Sequence, residues 1–226
     1  MASGNFIVLE GIEGSGKSTQ ARRLADWLEA RGLPCLLTRE PGGTALGEEI
    51  RKLLLHGGPV PALAELLLML AARAALLEEV VRPALAEGRI VVADRYSLST
   101  MAYQGHGRGL DLEQVRTAIA LTTGGLVPDV TVLLEVPQAV GAARRATSRP
   151  GADRIERAGA AFHDRVAGAY RLLAETEPGI VRVDGEGAEA VVAARIRAAL
   201  GARFPETFTE RPGFTEEGNS GFGGDG

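Results

Sequence analysis

The stretch FIVLEGIEGSGKST, from Phe6 to Thr19, decides the fold. It begins with an apolar run closed by Glu10 and Gly11, the length and pattern of a strand buried on both faces. Gly11-Ile12-Glu13-Gly14-Ser15-Gly16-Lys17-Ser18 then satisfies the pattern of a glycine, four residues and Gly-Lys-Ser, and an amphipathic segment starts at once. Strand, glycine-rich loop and helix in that order make a phosphate cradle. Glycines let backbone N–H groups turn inward around an anion, and the helix N-terminus adds partial positive charge. Lys17 is suited to the β and γ phosphates of a triphosphate, and the Ser18 hydroxyl to Mg2+.

Four more apolar runs read as strands: Cys35 to Thr38, Arg89 to Ala93, Val130 to Val136 and Ile180 to Val183. Helical periodicity fills Ser18 to Arg31, Leu46 to His56, Ala62 to Glu87, Leu112 to Thr123 and Ala158 to Glu177. Strands alternating with helices predict an α/β fold, a parallel sheet with helices on both faces. Asp111 with Gln114 resembles a capping box, Gly32 and Gly88 stand where helices should stop, and Pro83 should kink or end the long third helix, or mark where a second segment begins.

With 45% hydrophobic and 24% charged residues among 226, disorder throughout, a collagen-like repeat and a disulfide scaffold are excluded, and one domain over residues 1–203 is expected. The net charge of −4 argues against a protein that coats nucleic acid. Ala62 to Leu77, the most apolar stretch, is interrupted by Glu65 and Arg73 and falls short of a membrane span. With a lone cysteine, Cys35, and an opening unlike a signal peptide, a cytoplasmic protein is expected. Residues 204–226 are rich in Gly, Glu and Thr and read as a mobile tail, although four of the six phenylalanines lie there and docking stays open.

Of the 25 basic residues only Lys17 and Lys52 are lysine, so one of two lysines stands in the cradle. Asparagine occurs only at Asn5 and Asn219, which rules out the Asn-Lys-x-Asp motif by which GTPases read their base. The third strand runs into Asp94, a candidate Mg2+ carboxylate with Ser18, and then Arg95, suited to a phosphate.

Three further segments carry a resemblance: Thr38-Arg39-Glu40-Pro41-Gly42-Gly43-Thr44, Asp94-Arg95-Tyr96-Ser97-Leu98-Ser99-Thr100-Met101-Ala102-Tyr103-Gln104-Gly105, and Asp153-Arg154-Ile155-Glu156. With the P-loop, they resemble thymidylate kinase of the bacterial type from about Phe6 to about Leu200. The resemblance implies a P-loop NTP hydrolase-like fold with a five-stranded parallel sheet and a mobile lid, about residues 144–157. It implies transfer of the γ-phosphoryl group of MgATP to dTMP, giving dTDP and ADP in dTTP biosynthesis, by a homodimer packed through helices.

Residue by residue, the resemblance places Gly11 to Thr19 on ATP phosphates and Mg2+, with Glu13 also near the deoxyribose 3′-hydroxyl. Arg39, Pro41, Arg51 and Arg95 fall around the dTMP phosphate, and Arg73 at the thymine carbonyl face. Met69 stands where the family commonly has a phenylalanine on the thymine ring; a thioether packs on a base with less face-to-face area. Ser99, Tyr103 and Gln104 fall beside base and sugar, with Tyr103 selecting deoxyribose. Arg144, Arg145, Arg149, Arg154 and Arg157 flank Pro150-Gly151 in the lid. Of these, Arg154 is expected nearest the transferred group, and Arg145, with Arg149, toward ATP. For Arg73 the bland reading is an ion pair with Glu78 or Glu79. A kinase for another nucleoside or its monophosphate, and a nucleotide sensor without catalysis, are the competing readings.

Overall fold

A computed structural model describes residues 4–148 and 153–208, the side chains of residues 146–148 excepted. Among these the sheet has five parallel strands, β1 (Phe6–Glu10), β2 (Cys35–Arg39), β3 (Ile90–Asp94), β4 (Val130–Glu135) and β5 (Ile180–Asp184), in the order β2-β3-β1-β4-β5. The five expected strands are all present.

Helices cover both faces because successive residues of β1 point to opposite sides. Ile7 and Leu9 meet α1 (Lys17–Ala30) and α9 (Glu189–Arg203), whereas Phe6 and Val8 meet Leu76, Leu77 and Val81 on the other side. Each buried side chain of this strand contributes about 1.5–3 kcal/mol of hydrophobic stabilisation. α2 (Ala45–His56), α3 (Ala62–Leu76), α6 (Leu112–Thr123) and α8 (Ala160–Thr176) complete the layers seen in the sequence. Asp111 caps α6 by accepting from the Gln114 N–H at 2.9 Å, and Gly32 and Gly88 take φ of 72° and 78°. α7 (Gln138–Ser148) and α9 were not singled out by periodicity.

At Pro83 a second segment begins, the last of three expected outcomes for the long third helix. A π-helical turn, Leu77–Val81, lets the Arg82 N–H reach the Leu77 carbonyl, and α4 (Arg82–Ala86) takes Pro83 in its first turn, where a missing N–H is tolerated. After β3, α5 (Ser97–Thr100) runs directly into a π-helical stretch, Met101–Gly107, so that Thr100 and Gln104 stand one turn apart above the sheet edge. The first residues of the expected tail are helical instead. α10 (Pro205–Phe208) buries Phe208 stacked on Trp27 at 5.8 Å, with Arg31 over the same indole; residues 209–226 lie outside the described residues.

Candidate active site

The parallel register gathers the chemistry at one edge of the sheet. Leu9 and Arg39 both pair with Asp94, so the ends of β1, β2 and β3 are level and their loops leave together. Gly11 and Gly14 hold the loop's shape at φ of 143° and 77°. A Cβ on Gly14 would lie 2.2 Å from the Gly141 carbonyl oxygen, so the contact that seats α7 on the P-loop requires glycine. The sequence offered no signal for Gly141.

Lys17 is buried, and its Nζ donates to the Ile12 carbonyl at 2.7 Å and, at 3.4 Å, to Ser15 Oγ. Burial, and then repulsion by Arg95, push its pKa down to about 7 against the pull of Asp94, Glu13 and Glu10. Between that value and the ordinary 10.5 the unfolded chain holds a proton that the folded protein lacks, so this group's contribution to stability rises with pH across that window. A triphosphate restores the proton. Binding of ATP at pH 8 should therefore take up close to one proton, seen as a calorimetric heat that varies with the ionisation enthalpy of the buffer. A heat independent of buffer contradicts it.

Ser18 Oγ donates to Asp94 Oδ2, and Asp94 Oδ1 is buried with no partner among the described residues. A hydroxyl and an orphaned carboxylate oxygen side by side fit a hard cation that prefers oxygen donors. Arg95 follows with φ of 79°, a left-handed conformation that costs about 1–3 kcal/mol outside glycine. This turn aims the guanidinium back over the loop. Its Nη1 donates to Ser99 Oγ at 2.9 Å, Tyr170 Oη at 3.2 Å and, more weakly, the Gly11 carbonyl at 3.4 Å; its Nη2 donates to Tyr103 Oη at 3.1 Å. Glu13 Oε1 stands 3.8 Å from Arg95, while Glu13 Oε2 is buried without a partner among the described residues.

Glu10, which the sequence reading passed over, is the anchor beneath. Fully buried, it accepts from the Tyr96 and Ser99 N–H groups at 2.8 and 3.0 Å, and from Ser99 Oγ and Tyr170 Oη at 2.6 and 2.9 Å. Ser99 thus serves Arg95 and Glu10. The available signal was an acid ending a buried apolar strand, which needs partners.

Across the cleft stands α3, whose Glu65, Met69 and Arg73 share one face at four-residue spacing. Arg73 is fully buried and pairs with Glu40, Nη2 to Oε2 at 2.6 Å, and donates to Thr100 Oγ1 at 2.8 Å. The competing reading of Arg73, an intramolecular ion pair for which Glu78 and Glu79 were examples, is met by Glu40, which the β2 loop delivers from another layer. Burial pushes the Glu40 carboxyl above its ordinary range, with Arg73 pulling it back. Arg73 Nη1 has no partner among the described residues and is buried. At the rim Arg39 pairs with Glu48 at 3.0 Å, and Arg51 donates to the Pro41 carbonyl at 2.9 Å.

The lid arginines divide. From α7, Arg145 donates to the Glu13 carbonyl at 3.0 Å and Arg144 to the Gly185 carbonyl at 3.2 Å, so both stand at the P-loop. Arg154 does not stand with them. Its backbone N–H donates to the Leu55 carbonyl at 2.9 Å and its Nε to the Leu54 carbonyl at 2.8 Å, and its Nη2 lies 2.7 Å from Glu65 Oε2. Asp153 and Glu156 cap each other's backbone N–H groups, so this motif is partly turn chemistry. Arg149 lies outside the described residues.

The family profile described as thymidylate kinase matches residues 9–196. A thymidylate kinase of Synechococcus sp. (strain JA-2-3B'a(2-13)) is 51% identical over 201 residues, covering 88% of this chain and 96% of its own. That of Clavibacter sepedonicus is 47% identical over 198 residues, covering 87% and 94%. Among solved structures, the thymidylate kinase from Ehrlichia chaffeensis superposes with a TM-score of 0.73 at 29% identity, over 88% of this chain and 99% of that one.

Proposed function

The chain belongs to the thymidylate kinase family and transfers the γ-phosphoryl group of ATP to dTMP, and we propose how its residues divide that work. An oxygen of the dTMP phosphate attacks the γ-phosphorus as the bond to the β-phosphate oxygen breaks, giving dTDP and ADP. The nucleophile is already an anion, so positioning and charge neutralisation carry the rate and no strong base is needed. Gly11 to Thr19 cradle the ATP phosphates, and Lys17 leaves the Ile12 carbonyl for phosphate oxygen. Ser18 and Asp94 would hold Mg2+, which when bound offsets phosphate charge. Arg95 bridges the two substrates, with Arg39 and Arg51 on the dTMP phosphate, Glu13 at the sugar and Tyr103 against a 2′-hydroxyl. Arg145 and Arg144 bring the lid's charge to the loop; Arg154 joins the transferred group only by leaving Glu65. Closure of the lid excludes water.

The observation that carries this reading is a pair of buried atoms without partners among the described residues, one on α3 and one on the helical stretch after β3. Arg73 Nη1 is a donor and Gln104 Oε1 an acceptor, and Met69 lies between their levels on α3. That pair complements the O4 and N3–H of thymine, and mismatches the amino group and bare N3 of cytosine. ADP release with MgATP tests it: dTMP should support turnover far above dCMP, dGMP and the no-acceptor rate, and equal use of dCMP would contradict it.

Two copies pair through α2, α3 and α6, whose Leu53, Leu63, Leu67 and Leu121 are more than half exposed in the single chain. Sedimentation at twice the 23.7 kDa chain mass is the expected result, and a monomer at micromolar concentration the contrary one. The working compartment is the cytoplasm, in keeping with the buried free thiol of Cys35.

A further inference from the structure

Glu65 stands at the cleft beside Arg154 without touching a substrate position, yet it is a fully buried carboxylate in the middle of an apolar helix. Such a charge persists only when its lone pairs are filled. Three hydrogen bonds and an ion pair fill them. Oε1 accepts from Gln104 Nε2 at 2.9 Å and Arg108 Nε at 3.0 Å; Oε2 accepts from Arg108 Nη2 at 3.0 Å and faces Arg154 Nη2 at 2.7 Å. Burial works to raise its pKa, and the bonds from Arg108, Gln104 and Arg154 hold it below the ordinary carboxylate range. An ionised carboxylate accepts and cannot donate.

That restriction fixes the neighbour. An amide beside an ionised carboxylate must present its NH2 to it, so Gln104 has one allowed orientation, with Oε1 turned away, and this is the buried oxygen left without a partner. We propose that Glu65 is a positioning residue for base selection: it locks the Gln104 amide so that an acceptor, and never a donor, meets N3 of the substrate base. The inference rests on the dTMP reading above. Glu65 and Arg73 then act as two rungs between α3 and the helix after β3, Glu65 to Gln104 and Arg73 to Thr100, each leaving one atom of fixed polarity for the base edge.

Glu65→Gln tests it, because the polarity around residue 65 decides how the new amide lies. Two guanidinium Nη2 groups face the Oε2 position against the single Arg108 Nε at Oε1, so the oxygen stays at Oε2 and the new NH2 takes the side toward Gln104, the one neighbour there that can turn over to accept. Gln104 then turns over to accept from it, and presents its own NH2 to the base. The expected result is a fall of about ten- to a hundredfold in kcat/KM for dTMP, mostly in KM, with dCMP losing less or gaining, so that the dTMP to dCMP ratio drops at least about tenfold. In a Gln104→Met background the same change at Glu65 should leave the ratio where Gln104→Met alone puts it.

A proportional loss for both acceptors, or an unchanged ratio, overturns the proposal, since a merely structural carboxylate predicts that outcome. Arg108→Met, which removes packing and charge but leaves residue 65 a carboxylate, should keep the wild-type ratio; a ratio as low as that of Glu65→Gln overturns it too. If Glu65→Gln does not fold, the side-chain amide protons of Gln104 in the 15N-labelled native protein with dTMP decide: protection from exchange supports the lock, and exchange at the solvent rate overturns it. Failure of the wild type itself to use dTMP would sink the underlying reading, a separate result read in the same assay.

Discussion

Replacing Lys17 by methionine should lower dTMP-dependent turnover by about a thousandfold or more and leave the melting temperature unchanged or raised. The first half follows from its place in the cradle. A preorganised cation on a transferring phosphoryl group is worth roughly 10^2 to 10^5 in rate in a site shielded from water. The second half follows from what the fold does to the ammonium. Burial and Arg95 both act against its charge, pushing the pKa down to about 7, so its removal relieves a desolvation cost, and a methionine stem fills the same buried space. Activity and stability thus part company. Steady-state ADP production and a thermal melt on the same preparation measure both; turnover within roughly tenfold of wild type would remove Lys17 from the mechanism.

Arg73→Leu should cost about 3–5 kcal/mol of stability, a drop in melting temperature on the order of 10 °C, because it strands Glu40 as an unpaired buried carboxylate. The loss has a sign in pH. Burial already holds the Glu40 carboxyl above its ordinary range with Arg73 in place, and without Arg73 it rises further. A carboxyl with a raised folded pKa costs nothing while protonated in both states and destabilises the fold as pH climbs, so the variant should be hurt more at pH 8 than at pH 5. Arg73→Leu with Glu40→Leu should recover most of the stability while dTMP KM stays raised at least about tenfold, since the orphaned Nη1 proposed to meet the base is still missing. Recovery of KM along with stability would make Arg73 a structural residue only. Melts at the two pH values and KM for dTMP separate these outcomes.

How much the sequence disclosed depends on whether neighbours in the chain are neighbours in space. The P-loop, the five buried strands and the Asp94-Arg95 pair were legible because strand, loop and helix follow one another without a break. The buried acids were not. Glu10, Glu40 and Glu65 each look like an ordinary glutamate in the sequence, and their meaning lies in partners 86 to 160, 33, and 39 to 43 or more residues away. Arg73 shows the same limit from the other side: its need for a partner was readable, and nearness in the chain suggested Glu78 or Glu79, but the β2 loop brought it Glu40. The lid motif has two uses, of which the turn is the one local chemistry shows. Asp153 and Glu156 cap the turn that sets Arg154 on α3, a role local chemistry explains without any phosphate. Docking of the phenylalanines beyond residue 203 stayed open because a polar, glycine-rich composition surrounds them, and Phe208 finds Trp27 only in three dimensions.

The central claim is that a phosphoryl group passes directly from ATP to dTMP on this surface, and 31P NMR of a mixture of protein, MgATP and dTMP tests it most directly. The account predicts that ATP signals decline as those of ADP and dTDP grow in equal amount, with little free phosphate. Free phosphate growing in step with ADP, and dTMP unchanged, would show hydrolysis without transfer and contradict it.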